Sequence, residues 1–377
     1  MPERDKQCVV VSAGRLGSGG VLTHLRLLCL ELCRKGIQVL VFGSGSDWPQ
    51  QKLDELQNEG AQIVLPPRRL WRYPRLSNFY SALTWPWVMP RKTVSLYCVG
   101  AGRSHAYLRR LCGRETVSIY HEIVSPPSRE SLAGRCIALL DVSVANSESV
   151  AQIVRDIWPG KPVRVIPFLT AGAVMRPPKH RPPANGQELR ILYLGRLVRH
   201  KRPDQLVKNW SMISSLKPIS PARLDIYGND STGQMLPELR ELVSQTGLSQ
   251  SIAVHGAYDS SNLGEILDNA DIVVLPSLWE GLPLVLVEAM QHGVPVVACN
   301  AGGIAELGEN NPDVIITSTE WQDFVEGVRE MAGKIRSGQI DNSRLFRWTE
   351  KRYGFSAVSN RWLTALLTPL QFFDFQP

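Results

Sequence analysis

The sequence predicts an α/β protein made of two parallel-sheet domains, and three observations carry the prediction. Short runs of β-branched and aliphatic residues alternate with helix-periodic segments from about residue 8 to about residue 298, as strands joined by crossover helices do. At 377 residues the chain exceeds one ordinary domain and suits two, each large enough to bury its own core. Between the halves, Met175-Arg-Pro-Pro-Lys-His-Arg-Pro-Pro-Ala-Asn-Gly186 is too rich in proline for strand or helix and stiff enough to act as a spacer. The expected domains are residues 1–170 and 188–354, with 171–187 as linker.

The first strand is the apolar run Cys8-Val-Val-Val11, which enters a glycine-rich turn ending in Gly19 and Gly20. A helix follows over 21–35, with Val21, Leu22, Leu25, Leu28, Cys29 and Leu32 on one face and Gly36 as its stop. Residues 37–42 are the next strand, which completes a βαβ opening. Glycine in the turn lets backbone amides approach a phosphate closely. The order G-x-G-x-x-G is missing and no acidic residue ends the second strand, so this is not a dinucleotide fingerprint. Val117-Ser-Ile-Tyr-His-Glu122 is a strand ending near His121, a candidate site residue because parallel sheets bind ligands at the carboxyl ends of their strands. His24 and His105 read as structural.

In the second half, strands are expected at 190–194, 223–227, 252–255, 272–275, 294–298 and 314–317. The first of these ends at Gly195, and the loop behind it carries Arg196 and Lys201 before a helix that starts near Pro203. A guanidinium grips phosphate oxygens in a fork and an ammonium adds a point charge, so the pair suits a diphosphate; the competing assignment is a solvated basic turn. The strand 272–275 ends at Pro276, and Ser277 to Pro283 form the loop that follows. Pro283 suits the first turn of a helix running over 284–291 and stopped by Gly293 and Pro295. Its free amides at Leu284 face the crevice. Gly281, Leu284, Val285 and Glu288 share one helix face, which puts Glu288 under a ligand, where a carboxylate accepts from a vicinal diol, and leaves Glu280 on the loop. Alternatively, Glu280 caps the helix and Glu288 is solvated.

Seven scattered cysteines form no CxxC pair and no ligand set with histidines, which reads as reduced thiols in a cytoplasmic protein. The polar N-terminus argues against a signal peptide, and no run of eighteen apolar residues suggests a membrane span. Between Gly60 and Arg114 there is no acidic residue and there are ten basic ones; without them 32 basic residues face 35 acidic, so the net charge of +7 comes from this region. Phe79, Tyr80, Trp85 and Trp87 lie among those cations, a composition suited to an anionic membrane surface or an anionic, lipid-diphosphate acceptor, or to a solvated basic face over buried aromatics. No nucleic-acid-binding signature accompanies them.

Glu280-Gly-Leu-Pro with Glu288-Ala-Met eight residues on resembles the E-x7-E signature of the family 4 retaining glycosyltransferases, and the Gly195-Arg196 to Lys201 loop, the Gly19-Gly20 turn and His121 stand in the order that family has. The resemblance implies a GT-B fold, two Rossmann-like domains facing a central cleft, with a terminal helix at about 355–377 returning to the N-terminal, acceptor-binding domain, and 188–354 binding the nucleotide sugar. The segment 348–367 has the helical spacing for that return. It also implies transfer of a hexose, glucose or N-acetylglucosamine by default, from a UDP-sugar to an acceptor hydroxyl with retention, in polysaccharide or glycolipid assembly, without a metal or other cofactor. His121, Arg196, Lys201 and Glu280 take the catalytic positions. Gly19, Gly20, Arg196, Lys201, Tyr258, Glu280, Gly281, Leu282, Pro283, Leu284 and Glu288 take the donor-binding ones. Glycan or lipid-linked acceptors and an inner-membrane face are the expected partners. GDP- or ADP-sugar transferases, an epimerase or phosphorylase, and a non-catalytic sugar-nucleotide-binding protein share the ingredients. Phe168-Leu169 and Tyr227-Gly228-Asn229-Asp230 depart from the family pattern near the hinge and the base pocket.

Overall fold

The computed structural model describes residues 7–13, 20–43, 50–70, 73–90, 93–99, 103–122, 127–170, 186–259 and 261–374. The chain divides into two compact units, Met1–Thr170 with Phe355–Pro377, and Ala171–Gly354.

The first unit holds strands β1 (Cys8–Ala13), β2 (Gln38–Gly43), β3 (Gln62–Val64), β4 (Thr93–Val99), β5 (Val117–Glu122), β6 (Val142–Ala145) and β7 (Val163–Val165). They form one sheet in the order β3-β2-β1-β4-β5-β6-β7, parallel throughout. Both faces are covered, which is why β1 reads as an unbroken apolar run. Val9 and Val11 join one core and Cys8 and Val10 the other, following the period of two along a strand. The helix Gly20–Arg34 lays Leu25, Leu28, Cys29 and Leu32 on the first of these cores. The helix Phe355–Leu367 packs there too, with Trp362 wholly buried and its indole N–H donating to the Pro167 carbonyl at 2.8 Å.

The second unit holds β8 (Leu189–Leu194), β9 (Ala222–Tyr227), β10 (Ile252–Gly256), β11 (Ile272–Leu275), β12 (Val296–Cys299) and β13 (Val314–Thr317). Their order is β10-β9-β8-β11-β12-β13, again parallel. The chain winds outward from β8 to β10, then crosses back to β11 and winds the other way. The switch point lies between β8 and β11. Asp271, at the amino end of β11, is fully buried and accepts the Arg190 backbone N–H at 2.7 Å and an Arg190 guanidinium N–H at 2.9 Å, so it serves as the helix-to-strand tether.

Three expected elements are corrected in detail. The helical segment expected over 348–367 is two helices, Asn342–Tyr353 and Phe355–Leu367, because Gly354 breaks the run where the chain passes from one unit to the other. Pro283 is extended at the N-cap (φ −74°, ψ 112°) rather than in the first turn, and the helix is Leu284–Gln291. The strand expected from 294 starts at Val296, after the turn made by Gly293. All seven cysteines are free thiols; burial pushes Cys8 up to about 12 and Cys112 to about 11, which keeps both protonated at neutral pH. Among the described residues no helix is long and apolar enough to cross a membrane.

Candidate active site at a sheet switch point

The loops that leave β8 and β11 are neighbours at the point where the winding of the second sheet reverses, and a crevice for ligands opens there in doubly wound sheets. Residue by residue, that is where Arg196, Lys201 and Glu280 come together. The β8 loop turns at Gly195, whose N–H donates to the Tyr227 carbonyl at 3.1 Å, and the Tyr193 hydroxyl donates to the Arg196 carbonyl at 3.1 Å. A short 3-10 turn, Arg199–Lys201, then aims Lys201 inward. Lys201 is buried and its ammonium pairs with Glu280 Oε1, which also accepts from the Ser277 hydroxyl at 2.8 Å. The pair is shielded, with 8% and 10% of the two side chains exposed, so its attraction is weakly screened.

Of the other cations on this loop, Arg199 forks onto Glu238 at 2.8 and 2.7 Å, and Arg202, in the left-handed region at φ 58°, donates to the Thr319 carbonyl at 2.7 Å. Arg196 is exposed and makes no ion pair among the described residues. One cation is thus held inside by a carboxylate while another is left for an incoming anion.

The β11 loop is braced from below. Leu278 N–H donates to the His200 carbonyl at 2.7 Å, which ties it to the β8 loop, and Gly303 N–H donates to the Gly281 carbonyl at 2.7 Å. Gly302, at φ 62°, lies so close that a Cβ would sit 1.9 Å from the Glu280 carbonyl oxygen, and a Cβ on Gly228 would sit 1.9 Å from the Gly195 oxygen. Each glycine marks a backbone contact beneath one of the two loops. Gly302→Ala is therefore expected to destabilise the second unit by about 2–4 kcal/mol and lower its Tm by several degrees in a thermal scan, because left-handed strain and overpacking add.

Helix Leu284–Gln291 begins at this loop with no side-chain cap, so the first-turn amides of Leu284 and Val285 are left to a ligand or solvent. Gly281, Leu282, Pro283 and Leu284 are buried, so what they can offer a ligand is backbone. Within the helix only Val285 and Glu288 are partly exposed. Tyr258 lies near Glu288: burial raises the tyrosine pKa and the Glu288 charge raises it further. A separate groove of about 450 Å³ on the β8-β9-β10 face, lined in part by Arg223, Asp225 and His255, contains none of the candidate residues.

His121 lies in the first unit, wholly buried at the end of β5. Leu169 N–H donates to His24 Nδ1 at 3.1 Å, so His24 carries its proton on Nε2 and donates to the Tyr97 hydroxyl at 2.9 Å. Tyr97 in turn donates to His121 Nδ1 at 2.5 Å, which leaves the His121 proton on Nε2. Among the described residues that Nε2 is buried without a partner. Desolvation lowers the His121 pKa to about 3 and puts His24 well below the ordinary histidine value, His121 adding to the latter, so both rings are neutral. Phe168 stacks on His24 at 4.8 Å, so the Phe168-Leu169 departure supplies a ring and an amide to this chain. His24, read as structural, and Tyr97 were not legible as site residues: the contacts join positions 73 and 24 residues apart. His105 takes the structural part expected of it, its Nδ1 lying 2.9 Å from the Ser12 hydroxyl. Gly20 opens the helix Gly20–Arg34, and Gly19 lies outside the described residues. Among the described residues no three His, Cys, Asp or Glu side chains gather as a metal site.

Residues 18–168 match the family Glycosyltransferase Family 4, and residues 177–334 match Glycosyl transferases group 1. The chain belongs to the family 4 glycosyltransferases, and its two parallel-sheet units are the GT-B fold. A solved glycosyltransferase from Rickettsia africae superposes with a TM-score of 0.77 at 15% identity, over 99% of this chain and 100% of that one. Anabaena HepE, solved with UDP and glucose, gives 0.73 at 16%, over 96% and 99%. A D-inositol 3-phosphate glycosyltransferase of Arthrobacter is 28% identical over 161 residues, which is 40% of this chain and 38% of that protein. The chain spans less than half the length of the first curated relatives it matches.

Proposed function

We propose that this chain transfers a hexose from a nucleoside-diphosphate sugar, UDP-linked in the first instance, to an acceptor hydroxyl with retention of configuration. The observation that carries this is the meeting of Lys201, Glu280 and Ser277 with an uncapped helix N-terminus at the switch point of one sheet. Fixed N–H dipoles and cations at one spot suit a diphosphate, and a carboxylate beside them suits sugar hydroxyls. In this reaction the bond from the anomeric carbon to the diphosphate oxygen breaks, the acceptor oxygen bonds to that carbon on the same face, and the acceptor proton passes to the leaving diphosphate. Arg196 and Lys201 neutralise the charge that grows on the leaving group, together with the Leu284 and Val285 amides. That assigns the neutralisation to side chains and amides rather than to a metal. Glu280 holds sugar hydroxyls, Glu288 the ribose diol, and Tyr258 the base. His121 gives its neutral Nε2–H to a substrate oxygen only when the residues that bury it move aside.

The UDP-hexose assignment, glucose or N-acetylglucosamine, draws support from the UDP and glucose bound by Anabaena HepE. Polysaccharide or glycolipid assembly on the cytoplasmic side is the setting that reduced thiols and this donor class suit. The relatives named D-inositol 3-phosphate glycosyltransferases favour a second acceptor, a small phosphorylated polyol.

A thermal-shift panel of UDP-, GDP- and ADP-sugars tests the donor. One nucleotide class at a hundred times its Kd should add about 2.7 kcal/mol of stability, and release of the matching nucleoside diphosphate should require an acceptor. Absence of stabilisation by every nucleotide sugar would overturn the function, and tight binding with no turnover on any acceptor would leave a binding protein instead.

A further inference from the structure

From Asp271 to Leu284 the second unit is buried or half-buried at every position but two, Leu278 and Trp279, which are 51% and 46% exposed. A single exposed apolar side chain is ordinary on a surface, so what gives Trp279 meaning is its setting. It directly precedes Glu280, and the backbone is pinned on either side of it. Leu278 N–H donates to the His200 carbonyl at 2.7 Å, and the Gly281 carbonyl accepts from Gly303 N–H at 2.7 Å. The loop is thus held on both sides of the indole, which makes the exposed ring a fixed feature of it. The ring also has one aromatic neighbour: His200 meets it in a T-shaped contact, with centroids 5.8 Å apart and planes at 81°. His200 in turn sits among the charges of the candidate site. Burial lowers its pKa, the Lys201 and Arg196 cations push the same way and Glu280 opposes them, so the imidazole is neutral at neutral pH. Indole and imidazole therefore form one wall that starts at the Lys201–Glu280 pair and ends in solvent.

The depth of each group decides what lies on this wall. Lys201 and Glu280, with 8% and 10% of their side chains exposed, form the floor, to which the diphosphate and hexose of the donor are assigned. A molecule resting on the half-exposed ring just outside that floor approaches the hexose from solvent, and that molecule is the acceptor. Two consecutive apolar side chains make too small a patch to hold a lipid chain. A pyranose ring fits the dimensions and the chemistry: its face of C–H bonds lies on an aromatic surface, and its rim of hydroxyls meets a neutral imidazole that both donates and accepts. We infer that Trp279, braced by His200, is the platform on which a sugar ring of the acceptor stacks, so that the accepting hydroxyl belongs to a carbohydrate. This rests on the transferase reading of the Lys201–Glu280 pair and adds the class of acceptor to it.

Titration of the UDP-bound protein with methyl hexopyranosides tests it, read from the Trp279 indole signal in nitrogen-15 tryptophan-labelled protein. That signal, identified by its loss in Trp279→Tyr, should move with at least one methyl glycoside of glucose, galactose, mannose or N-acetylglucosamine and stay in place with glycerol phosphate. In turnover, Trp279→Ala should raise the KM of the best hexoside about five- to tenfold, far more than it lowers kcat or donor affinity. Trp279→Tyr keeps an aromatic face and should recover most of that KM, whereas Trp279→Leu keeps apolar area alone and should not. Because the side chain is exposed, all three variants should fold with Tm within a degree or so of wild type. Recovery by leucine as full as by tyrosine would make the wall a general apolar contact, as a lipid needs, and overturn the inference. An indole signal unmoved by every hexoside, or a loss that falls on donor affinity instead of acceptor KM, overturns it too. The two readings fail differently: a protein that no nucleotide sugar stabilises loses the transferase assignment and this inference with it, while one that binds and hydrolyses the donor with an unmoved indole loses this inference alone.

Discussion

Arg196→Ala and Lys201→Ala are each expected to lower kcat by about 10²–10³-fold with little change in the donor dissociation constant, as removal of one preorganised transition-state contact does. The diphosphate carries most of its charge already in the ground state, but a further share develops only as the anomeric bond breaks, and that share is what these cations are positioned to meet. The two substitutions differ in what else they disturb. Arg196 is exposed and makes no ion pair among the described residues, so its removal should leave Tm within a degree or so of wild type. Lys201 is buried against Glu280, so Lys201→Ala strands a carboxylate and should cost about 3–5 kcal/mol of stability. Adding Glu280→Gln should restore most of that stability and none of the turnover. Single-turnover rates with the stabilising nucleotide sugar, together with Tm for each variant, separate the two effects. Unchanged turnover in Arg196→Ala would remove its assigned role.

The parts of this arrangement that the sequence exposed are those with local causes. Strands 272–275 and 314–317 coincide with β11 and β13 because buried parallel strands are short apolar runs with turn residues at their ends. Glu280 and Lys201 were each legible as loop residues after a strand, yet their pairing was not, since 79 positions separate them and only the sheet order makes their loops adjacent. For the same reason Ser277 carries no signal of its own in the sequence, and Gly228 and Gly302 look like any other turn glycine: each is required by a backbone carbonyl that a different loop brings up. The segment Tyr73 to Trp87 reads in the sequence as aromatics among cations. Its helix, Pro74–Val88, and the burial of Trp85 apart from its neighbours needed the fold.

Tyr97→Phe is expected to reduce kcat/KM by about 10–100-fold and to change the tautomer of a residue it does not replace. Wild-type His121 must hold its proton on Nε2, because Leu169, His24 and Tyr97 pass donors along one direction and each acceptor is filled in turn. Removing the hydroxyl leaves His24 Nε2–H and His121 Nδ1 without partners inside the core, which should cost about 1–3 kcal/mol and frees His121 to carry its proton on either nitrogen. Nitrogen-15 NMR should then show one His121 tautomer in the wild type and a mixture in Tyr97→Phe. Burial sets the sign of the accompanying pH effect. The folded His121 pKa of about 3 lies below its ordinary 6.5, so stability is full above 6.5 and falls as pH drops toward 3, while the unfolded chain takes up a proton that the folded one refuses. His24 adds in the same direction, and the His121 ring contributes about 1.4 kcal/mol per pH unit within that window. Turnover in the wild type should therefore show no His121 titration between about pH 5 and 8. A tautomer mixture with unaltered kcat/KM would confine the relay to structure, and loss of folding without a tautomer change would remove it.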